Sequence, residues 1–220
     1  MTTIIQTKDG SNSIQSAKFE ATYHSIHGAI QEAQTVFIEA ALLYKAATQK
    51  EISILEIGLG TGLNAFMTYL EAQKEALQIQ YTGIEAYPIS LELAQQLNYV
   101  ELLDVQAEQA QFLKLHSFPN EWVKLSPSFQ FYKQIGRFED LKAQEQFDLI
   151  YYDAFAPSVQ PELWEIALLE KMYQALKPNG VLTTYCAKGV FKRNLKQVGF
   201  KVEGIPGPIG KREMTRAVKV

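Results

Sequence analysis

The sequence predicts an α/β fold in which helices cover both faces of a mostly parallel sheet. Two apolar runs indicate central strands: residues 52–57, which read Ile-Ser-Ile-Leu-Glu-Ile, and residues 147–152, which read Phe-Asp-Leu-Ile-Tyr-Tyr. Such a density of large apolar residues is typical of parallel strands that are buried on both faces. A glycine-rich turn follows the first run, and Asp153 follows the second. Because the carboxyl ends of parallel strands meet at one edge of a sheet, we expect both loops to lie at the same site.

The composition excludes several classes of protein. The chain has 220 residues, of which 47% are hydrophobic and 20% are charged, as in an ordinary domain with a sizeable core. No apolar run is long enough to span a bilayer, and the first residues lack the pattern of a signal peptide. We therefore expect a cytoplasmic protein that has no membrane partner.

No metal site is expected. The single cysteine, Cys186, excludes an intrachain disulfide and a zinc site built from cysteines. His24 and His27 have no carboxylate or cysteine cluster nearby, and two histidines alone are a poor ligand set. We predict that they line or cap a cleft.

Residues 1–50 are predicted to form an extension that packs on the core, and residues 51–220 to form the main domain. Polar and apolar residues alternate around the pair Asp9-Gly10, which indicates a small hairpin. From about residue 29 to residue 47 the apolar positions recur at helical spacing, so a packed helix precedes the first central strand.

The glycine turn is predicted to bind a small ligand. Gly58, Gly60 and Gly62 lead into a helix that begins near Leu63. Glycine permits unusual backbone conformations and lets a ligand approach the main chain at the positive end of a helix. A dinucleotide site and a purely structural turn are alternatives, although the dinucleotide fingerprint has a glycine where Leu63 stands. With the acidic Glu56 inside the strand, the stretch resembles the first motif of the S-adenosylmethionine-dependent methyltransferases.

This resemblance implies a set of cofactor-binding residues. The turn and the strand before it would form a cradle from Glu56, Gly58, Gly60, Thr61 and Gly62. A second strand is predicted over residues 79–85, and its last residue, Glu85, is placed to accept hydrogen bonds from ribose hydroxyls. An ordinary exposed strand end is the alternative for Glu85. We expect Pro88 to open a helix that runs through Asn98.

The segment from residue 101 to residue 146 is rich in aromatic side chains. Residues 129–135 are predicted to form a strand, and either Glu139 or Asp140 is expected near the adenine end of the cofactor. Aromatic side chains can stack on a base, but in a chain of this size most of them fill the core. No role is assigned to residues 101–128.

The stretch Asp153-Ala-Phe-Ala-Pro157 is the second candidate for chemistry. Amine-methylating enzymes commonly place Asp or Asn at the end of this strand, followed by a proline and an aromatic residue. There the side chain holds the amine and also lies beside the cofactor. Polyamine synthases that transfer an aminopropyl group carry a similar Asp-Ala-Phe stretch, so two types of reaction remain open. A helix over residues 161–175, a Pro-Asn-Gly turn and a strand follow in the order found in methyltransferases.

The charge is divided unequally along the chain. The net charge is −3, but residues 185–220 contain nine Lys or Arg and only two Glu, a local balance of +7. This basic segment is a candidate surface for RNA phosphates, and a solvated face is the alternative. The phosphate-binding candidates are Lys188, Lys192, Arg193, Lys196, Lys211 and Arg212.

The last part of the chain resembles one family in particular. Gly210-Lys-Arg-Glu-Met214, together with the glycine turn, the Asp153 stretch and Pro161-Glu-Leu-Trp164, is similar to the methyltransferase domain of the MnmC family. That domain finishes the 5-methylaminomethyl-2-thiouridine modification at the tRNA wobble position. The resemblance covers nearly the whole chain and is weakest over residues 101–128.

The resemblance implies a Rossmann-like methyltransferase fold with a seven-stranded sheet, S-adenosylmethionine as the methyl donor and tRNA as the partner. The acceptor would be the amine of 5-aminomethyl-(2-thio)uridine, with Asp153 as the catalytic residue and Phe155 and Pro157 beside the substrate. A flavin-dependent oxidase follows this domain in two-domain family members. Because the chain stops at Val220 and has no second glycine fingerprint, we expect the stand-alone form. A methyltransferase or aminopropyltransferase for a small amine is the alternative, and the oligomeric state is not predicted.

Overall fold

The amino-terminal residues form a small antiparallel sheet and a long helix in the computed structural model, which describes residues 2–220. The sheet contains β1 (Thr3–Gln6), β2 (Asn12–Ser16) and β3 (Ala21–Thr22). The predicted hairpin is confirmed, because β1 pairs with β2 across Asp9-Gly10. Helix α1 covers residues 29–46 in three segments, of which the middle one is π-helical: Ala29–Ala33, Gln34–Leu43 and Tyr44–Ala46.

Eight strands form the main sheet. In chain order they are β4 (Glu51–Ile57), β5 (Gln78–Glu85), β6 (Trp122–Ser126), β7 (Phe129–Ile135), β8 (Phe147–Tyr152), β9 (Leu176–Thr184), β10 (Phe200–Pro206) and β11 (Glu213–Lys219). Their order across the sheet is β10-β11-β9-β8-β4-β5-β7-β6. Strands β9, β8, β4, β5 and β7 are parallel, whereas β11 and β6 are antiparallel to their neighbours.

The prediction of a mostly parallel α/β sheet is confirmed, but the sheet has eight strands where seven were expected. The additional strand is β6, which pairs with β7 as an antiparallel hairpin. It lies within residues 101–128, where the sequence supported no assignment. Trp122 and Lys124 are exposed and only Leu125 is buried, as expected of a strand at the edge of a sheet.

The remaining helices connect the strands. They are α2 (Leu63–Lys74), α3 (Leu91–Ala94), α4 (Tyr99–Leu102), α5 (Gln109–Lys114), α6 (Ile166–Ala175) and α7 (Gly189–Val198). The helix predicted from Pro88 through Asn98 is shorter than expected. It begins only after Ser90, whose Oγ accepts a hydrogen bond from the Leu93 amide, and it ends at Ala94. The helix predicted from Pro161 is interrupted at Glu165, whose extended backbone separates a 3₁₀ turn from α6.

Alternate residues of the central strands contribute to two separate cores. Ile54 of β4 packs in one core with α1, α2 and α5, whereas Leu55 and Ile57 pack in the other with α6 and α7. All three side chains are fully buried. Because successive side chains of a strand point to opposite faces, this division places helices on both faces of the sheet, as predicted.

The order of the strands determines where a ligand site can form. Strands β4 and β8 are neighbours, but the chain continues from β4 into α2 on one face and from β8 toward α6 on the other. In open α/β sheets a crevice forms at such a point, outside the carboxyl ends of the strands. The glycine turn after β4 and the Asp153 loop after β8 both lie there. Within residues 2–220 no helix has the length and apolar character needed to cross a membrane.

Asp148 joins three strands at the opposite edge of the sheet. Its Oδ2 accepts hydrogen bonds from the Ser53 amide at 2.8 Å, the Ser53 hydroxyl at 2.7 Å and Lys177 Nζ at 2.8 Å. These residues belong to β8, β4 and β9. Burial opposes ionisation of the carboxyl group, but the hydrogen bonds from Lys177 and Ser53 outweigh it, so the pKa of Asp148 lies below its ordinary value.

We predict that Asp148→Asn lowers the free energy of unfolding at pH 7 by about 1–3 kcal/mol, because charged hydrogen bonds are lost at a buried position. A lowered pKa stabilises the fold above the unfolded-state value of about 3.9 and loses that effect as the pH falls through the folded-state value. Urea unfolding should therefore show the two proteins converging in acid. Asp140→Asn, at an exposed aspartate, is the matched control. A difference that stays constant down to acid pH would contradict this account of Asp148.

Candidate active site

A cavity lies at the carboxyl edge of the sheet, where β4, β5 and β8 end. Four parts of the chain form most of its wall: the amino-terminal segment, the turn after β4, the end of β5 and the loop after β8. Phe138 also lines the cavity. The other lining residues are Phe19, Tyr23, His24, Gly58, Leu59, Gly60, Thr61, Leu63, Asn64, Glu85, Ala86, Tyr87, Asp153, Ala154, Phe155 and Gln160. The structure thus brings Gly58, Gly60, Thr61, Glu85 and Asp153 together in one cavity, which we call the first cavity, whereas Gly62 is not part of its wall.

The turn after β4 requires glycine for its backbone conformation. Gly58, Gly60 and Gly62 have φ values of 89°, 51° and 73°, a region that other residues rarely adopt. A Cβ atom on Gly58 would lie 2.8 Å from the backbone oxygen of Asp153, and one on Gly60 would lie 2.9 Å from Cδ1 of Tyr23. The glycines therefore permit close approach between the walls of the cavity as well as access to the main chain.

Glu85 is held in place at the end of β5 by two backbone amides. Its Oε2 accepts a hydrogen bond from the Gly60 amide at 2.9 Å, and its Oε1 accepts one from the Tyr87 amide at 2.8 Å. Burial raises the pKa of Glu85 against the effect of these bonds. A carboxylate offers about four lone-pair sites, so Glu85 keeps acceptor capacity for the hydroxyl groups of a ligand.

A chain of hydrogen bonds runs beneath the glycine turn. The Tyr81 hydroxyl donates to Glu56 Oε2 at 2.8 Å, and Asn64 Nδ2 donates both to Glu56 Oε1 and to Asp153 Oδ2, each at 2.8 Å. Glu56 is fully buried and is not part of the cavity wall. Burial raises its pKa well above the ordinary value, and the nearby charge of Asp153 acts in the same direction. Glu56 therefore acts on the cavity through Asn64.

Asn64 is a functional candidate that the sequence reasoning missed. Its amide nitrogen donates hydrogen bonds to the carboxylates of Glu56 and Asp153, but its Oδ1 is buried and has no hydrogen-bond partner within residues 2–220. A buried acceptor without a donor is costly, so a donor group on a ligand would stabilise the site. One signal in the sequence could have identified it: Asn64 lies in the first turn of the helix that the glycine turn opens.

Asp153 is half-buried in the wall of the first cavity. Its backbone amide donates to the carbonyl oxygen of Ile57 at 3.0 Å, which fixes the loop to the end of β4. Burial, reinforced by the charge of Glu32, raises the pKa of Asp153 to about 7, and Asn64 and Lys211 oppose this shift. A carboxyl group that titrates near neutrality can bind a cation or exchange a proton at physiological pH.

Aromatic rings line the outer part of the first cavity. The ring of Phe19 lies 5.6 Å from that of Tyr87 and 4.8 Å from that of Phe155, and the ring of Tyr23 lies 5.1 Å from that of Phe155, measured between centroids. Phe19 and Tyr23 come from the amino-terminal segment, which the sequence did not connect with ligand binding. Flat apolar surfaces of this kind suit a heteroaromatic ring such as adenine.

His24 lines the first cavity, as predicted, and binds protein groups through both ring nitrogens. Its Nδ1 lies 3.0 Å from the Ser13 hydroxyl, and its Nε2 lies 3.3 Å from the Thr61 hydroxyl. Burial lowers the pKa of His24 to about 4, so the ring is neutral at pH 7. His27 lies apart and packs against Gly210. No group of three His, Cys, Asp or Glu side chains within residues 2–220 is arranged to hold a metal ion.

A second cavity adjoins the first and shares Tyr23, His24, Ala154 and Phe155 with it. Its other lining residues include Glu32 of α1, Tyr185 at the end of β9 and Lys211 from the loop between β10 and β11. Lys211 Nζ lies 2.5 Å from Glu32 Oε1 and 4.0 Å from the centroid of the Tyr185 ring. The loop between β10 and β11 thus reaches across the amino-terminal helix to the site.

The other predicted substrate residues are placed differently. Phe155 lines both cavities, whereas Pro157 lines neither. Lys188 and Arg193, at the start of α7, and Arg212 are exposed on the surface. Lys211 differs from these three because it faces the second cavity.

Neither acidic residue expected near adenine lines the first cavity. Phe138 does so, but Glu139 is turned toward Arg137, with 2.6 Å between Glu139 Oε1 and the guanidinium group. Asp140 is exposed and also lies outside the cavity wall. The residue of this turn that contacts the cavity is thus aromatic.

Comparisons with known proteins agree with the fold. A family model described as S-adenosyl-L-methionine-dependent methyltransferase matches residues 131–220. The bifunctional tRNA 5-methylaminomethyl-2-thiouridine biosynthesis protein MnmC of Leptospira interrogans is 30% identical over 90% of the chain and 32% of its own length. The crystal structure of MnmC2 from Aquifex aeolicus superimposes with a TM-score of 0.78 and 23% identity over 99% of this chain and 70% of that one.

The chain is similar to the methyltransferase part of MnmC. It spans about a third of the length of the curated MnmC relatives that it matches. The predicted methyltransferase fold is therefore confirmed, and the family-model match over residues 131–220 agrees with S-adenosylmethionine as the cofactor. Spermidine synthase from Thermotoga maritima shares the fold at a TM-score of 0.58 and 14% identity, over 99% of this chain and 72% of that one.

We predict that Gly60→Val weakens binding of S-adenosylmethionine at least tenfold. The new side chain would collide with the Tyr23 ring and would occupy a backbone conformation that a β-branched residue strongly disfavours, so the cavity wall would move. Isothermal titration calorimetry measures the effect. Gly136→Val is the matched control, because a Cβ atom there meets nothing within 4 Å. Equal affinity in the wild type and in Gly60→Val would show that the turn does not hold the cofactor.

Proposed function

We propose that this chain transfers the methyl group of S-adenosylmethionine to the primary amine of 5-aminomethyl-(2-thio)uridine at the wobble position of tRNA. The relatives named MnmC support this reaction, since their description concerns biosynthesis of the methylated product. The observation that carries the proposal is the position of Asp153, in the wall of the first cavity and directly before Ala154, which lines both cavities. A carboxylate at this junction can hold an amine beside the cofactor.

S-adenosylmethionine fits the groups of the first cavity. The backbone of residues 58–62 and the free Oδ1 of Asn64 are suited to its amino-acid end, the Glu85 carboxylate to its ribose hydroxyls, and the aromatic rings to its adenine. In this proposal Thr61 contributes to the cavity wall and Glu56 orients Asn64. When bound, S-adenosylmethionine supplies an electrophilic methyl group attached to a sulfonium centre.

The role proposed for Asp153 is to bind the charged acceptor amine and to remove its proton. A primary alkylamine is mostly protonated at neutral pH, as lysine is with its pKa of about 10.4, and an ammonium group has no lone pair for attack. Ionised Asp153 binds the ammonium form and then accepts its proton, either directly or through a water molecule. It also orients the nitrogen, and positioning of this kind supplies much of the rate of a transfer reaction.

Residues 1–50 belong to the same working unit as residues 51–220 in this proposal. The amino-terminal segment contributes Tyr23 and His24 to both cavities, and α1 contributes Glu32 to the second. Removal of this segment would leave the first cavity without one of its walls. A tRNA substrate also accords with the expected cytoplasmic location.

The basic segment at residues 185–220 supplies the proposed contacts with tRNA phosphates. Four of its nine cations form ion pairs within the protein: Lys192, Lys211, Arg216 and Lys219. The other five are exposed and carry the charge that faces solvent: Lys188, Arg193, Lys196, Lys201 and Arg212. The surface available for phosphates is therefore smaller than the sequence count indicated.

Incubation with labelled S-adenosylmethionine and tRNA that lacks the final methyl group tests the proposal. We expect label in the wobble nucleoside after digestion and chromatography. Parallel reactions contain putrescine with S-adenosylmethionine or with its decarboxylated form. Product only in these reactions would favour the small-amine methyltransferase or the aminopropyltransferase, respectively. Binding of S-adenosylmethionine without any transfer would indicate a non-catalytic module.

We predict that Asp153→Asn binds S-adenosylmethionine normally but loses about a hundredfold or more in turnover near neutral pH, because the base and the charge are removed. The wild-type kcat/KM should rise with pH through the free-enzyme pKa of Asp153, about 7, since the ionised form is the active one. The pH–rate profile of Asp153→Asn should lack this rise near pH 7, and activity should return only at higher pH, where more of the amine is unprotonated. Asp153→Ala should be worse, because positioning is lost as well. Identical pH–rate profiles for Asp153→Asn and wild type would remove Asp153 from the chemistry.

We predict that changing Lys188, Arg193 and Arg212 together to Gln weakens tRNA binding and flattens its dependence on salt. Each phosphate contact that is lost should reduce the slope of log K against log salt by about one. Filter binding over a salt series gives the slope, and affinity for S-adenosylmethionine should not change. Lys124→Gln with Lys142→Gln, at exposed lysines outside the basic segment, is the control. A wild-type slope in the triple variant would mean that the basic segment is only a solvated surface.

A further inference from the structure

More negative than positive charge lies where the second cavity adjoins the first. Glu32 is only 7% exposed and pairs with Lys211, while its other oxygen accepts a hydrogen bond from the Ser25 amide at 2.9 Å. Asp153 lies directly before Ala154 in the wall of the adjoining first cavity, and the charges of Glu32 and Lys211 both act on its carboxyl group. Two carboxylates and one lysine thus lie around the junction of the two cavities. Partly buried carboxylates need compensating charge, so this end of the cavity suits a cationic ligand.

Apolar and aromatic side chains form part of the wall of the second cavity. They include Phe155, Ala156, Val159 and Tyr185. The hydroxyl group of Tyr185 donates to the carbonyl oxygen of Ala154 at 2.8 Å, which fixes the ring beside the Asp153 loop. Aromatic walls of this kind accommodate a planar ring.

Lys211 is the only lysine or arginine among the lining residues of this cavity, and it keeps donors for a ligand. An ammonium group has three N–H donors, of which the Glu32 carboxylate takes one, while the charge rests over the ring of Tyr185. The remaining donors can reach an acceptor on a ring within the cavity. These groups therefore suit a ligand with a cationic arm, a planar ring and a carbonyl acceptor, and an aminomethyl pyrimidine has all three features.

We propose that the Glu32–Lys211 pair recognises the acceptor base in the second cavity. The cationic arm of the pyrimidine points toward Asp153, and Lys211 donates a hydrogen bond to a carbonyl or thiocarbonyl group of the ring. This inference rests on the proposed function and assigns the site of its substrate. It also separates Lys211 from the exposed cations of the basic segment, because Lys211 contacts a base and not a phosphate.

The charges of the pair also contribute to the pKa of Asp153, after burial, which is the largest cause of its shift. The titratable groups that act on or respond to Asp153 come from five elements: Glu56 on β4, Tyr81 on β5, Tyr185 after β9, Glu32 on α1 and Lys211 in the loop between β10 and β11. Of the two members of the pair, Glu32 raises the pKa of Asp153 and Lys211 lowers it. Removing one member or the other therefore has opposite consequences for Asp153, although each change breaks the same ion pair.

Lys211→Gln, Glu32→Gln and Arg212→Gln test the inference, with Arg212→Gln as a neighbour that loses the same charge at an exposed position. We expect Lys211→Gln to lower kcat/KM for tRNA about tenfold or more, to move the acid limb of the pH–rate profile to higher pH and to leave the salt slope of tRNA binding unchanged. Glu32→Gln should move the acid limb to lower pH. Arg212→Gln should reduce the salt slope by about one and leave the position of the acid limb unchanged.

A purely structural ion pair would behave differently. If Glu32 and Lys211 only join the loop to α1, both variants should lose thermal stability to a similar degree, and Lys211→Gln should bind 5-aminomethyluridine nucleoside as tightly as the wild type does. That result would overturn the inference, as would a salt slope that Lys211→Gln reduces as much as Arg212→Gln does. Calorimetry with S-adenosylmethionine should give wild-type affinity for all three variants, which verifies that the first cavity is intact.

The outcomes for the wild type separate the two proposals. If the wild type fails to methylate tRNA, the proposed function is wrong, and the assignment of the second cavity falls with it. If the wild type is active while Lys211→Gln and Arg212→Gln have the same profile, only the inference about Lys211 fails. Titration of the S-adenosylhomocysteine complex with 5-aminomethyluridine nucleoside adds a direct reading, in which Lys211→Gln should bind at least fivefold more weakly than wild type.

Discussion

The contact between the glycine turn and the Asp153 loop determines the geometry of the whole site. A Cβ atom on Gly58 would lie 2.8 Å from the backbone oxygen of Asp153, so the two loops approach more closely than any side chain at position 58 would permit. The Asp153 amide also donates to the carbonyl oxygen of Ile57. Two neighbouring strand ends are thereby joined where the helices that follow leave on opposite faces. The first cavity and the second cavity both depend on this contact.

The fold was predictable because its signals are local. A parallel strand buried on both faces needs a continuous apolar run, and a strand-to-helix turn with positive φ values needs glycine, so both can be read from a few residues. Strand β6 escaped prediction because it is an edge strand with an irregular pattern. The helix after Pro88 was overestimated because propensity does not show where a cap such as Ser90 begins the helix.

Within the candidate site, only the residues that lie at strand ends were predictable from the sequence. Gly58, Glu85 and Asp153 follow buried strands, and the topology alone brings them together. Tyr23 and Lys211 reach the site from segments far away in the sequence, and no local pattern marks such tertiary contacts. The charge count of the basic segment misplaced Lys211 for the same reason, since a sum over residues does not show that Glu32 of α1 pairs with it.

The acidic groups explain why the site is suited to cationic ligands. Burial raises the pKa values of Glu56, Glu85 and Asp153, and Lys211 is the only lysine or arginine that lines either cavity. A raised carboxyl pKa means that the folded state binds more protons than the unfolded chain, so these groups make the ligand-free fold less stable as the pH rises from about 4 toward 7. A sulfonium or ammonium group in the cavity stabilises the ionised carboxylates and offsets this cost. The same arrangement that weakens the empty site therefore favours a positively charged donor and a positively charged acceptor side by side.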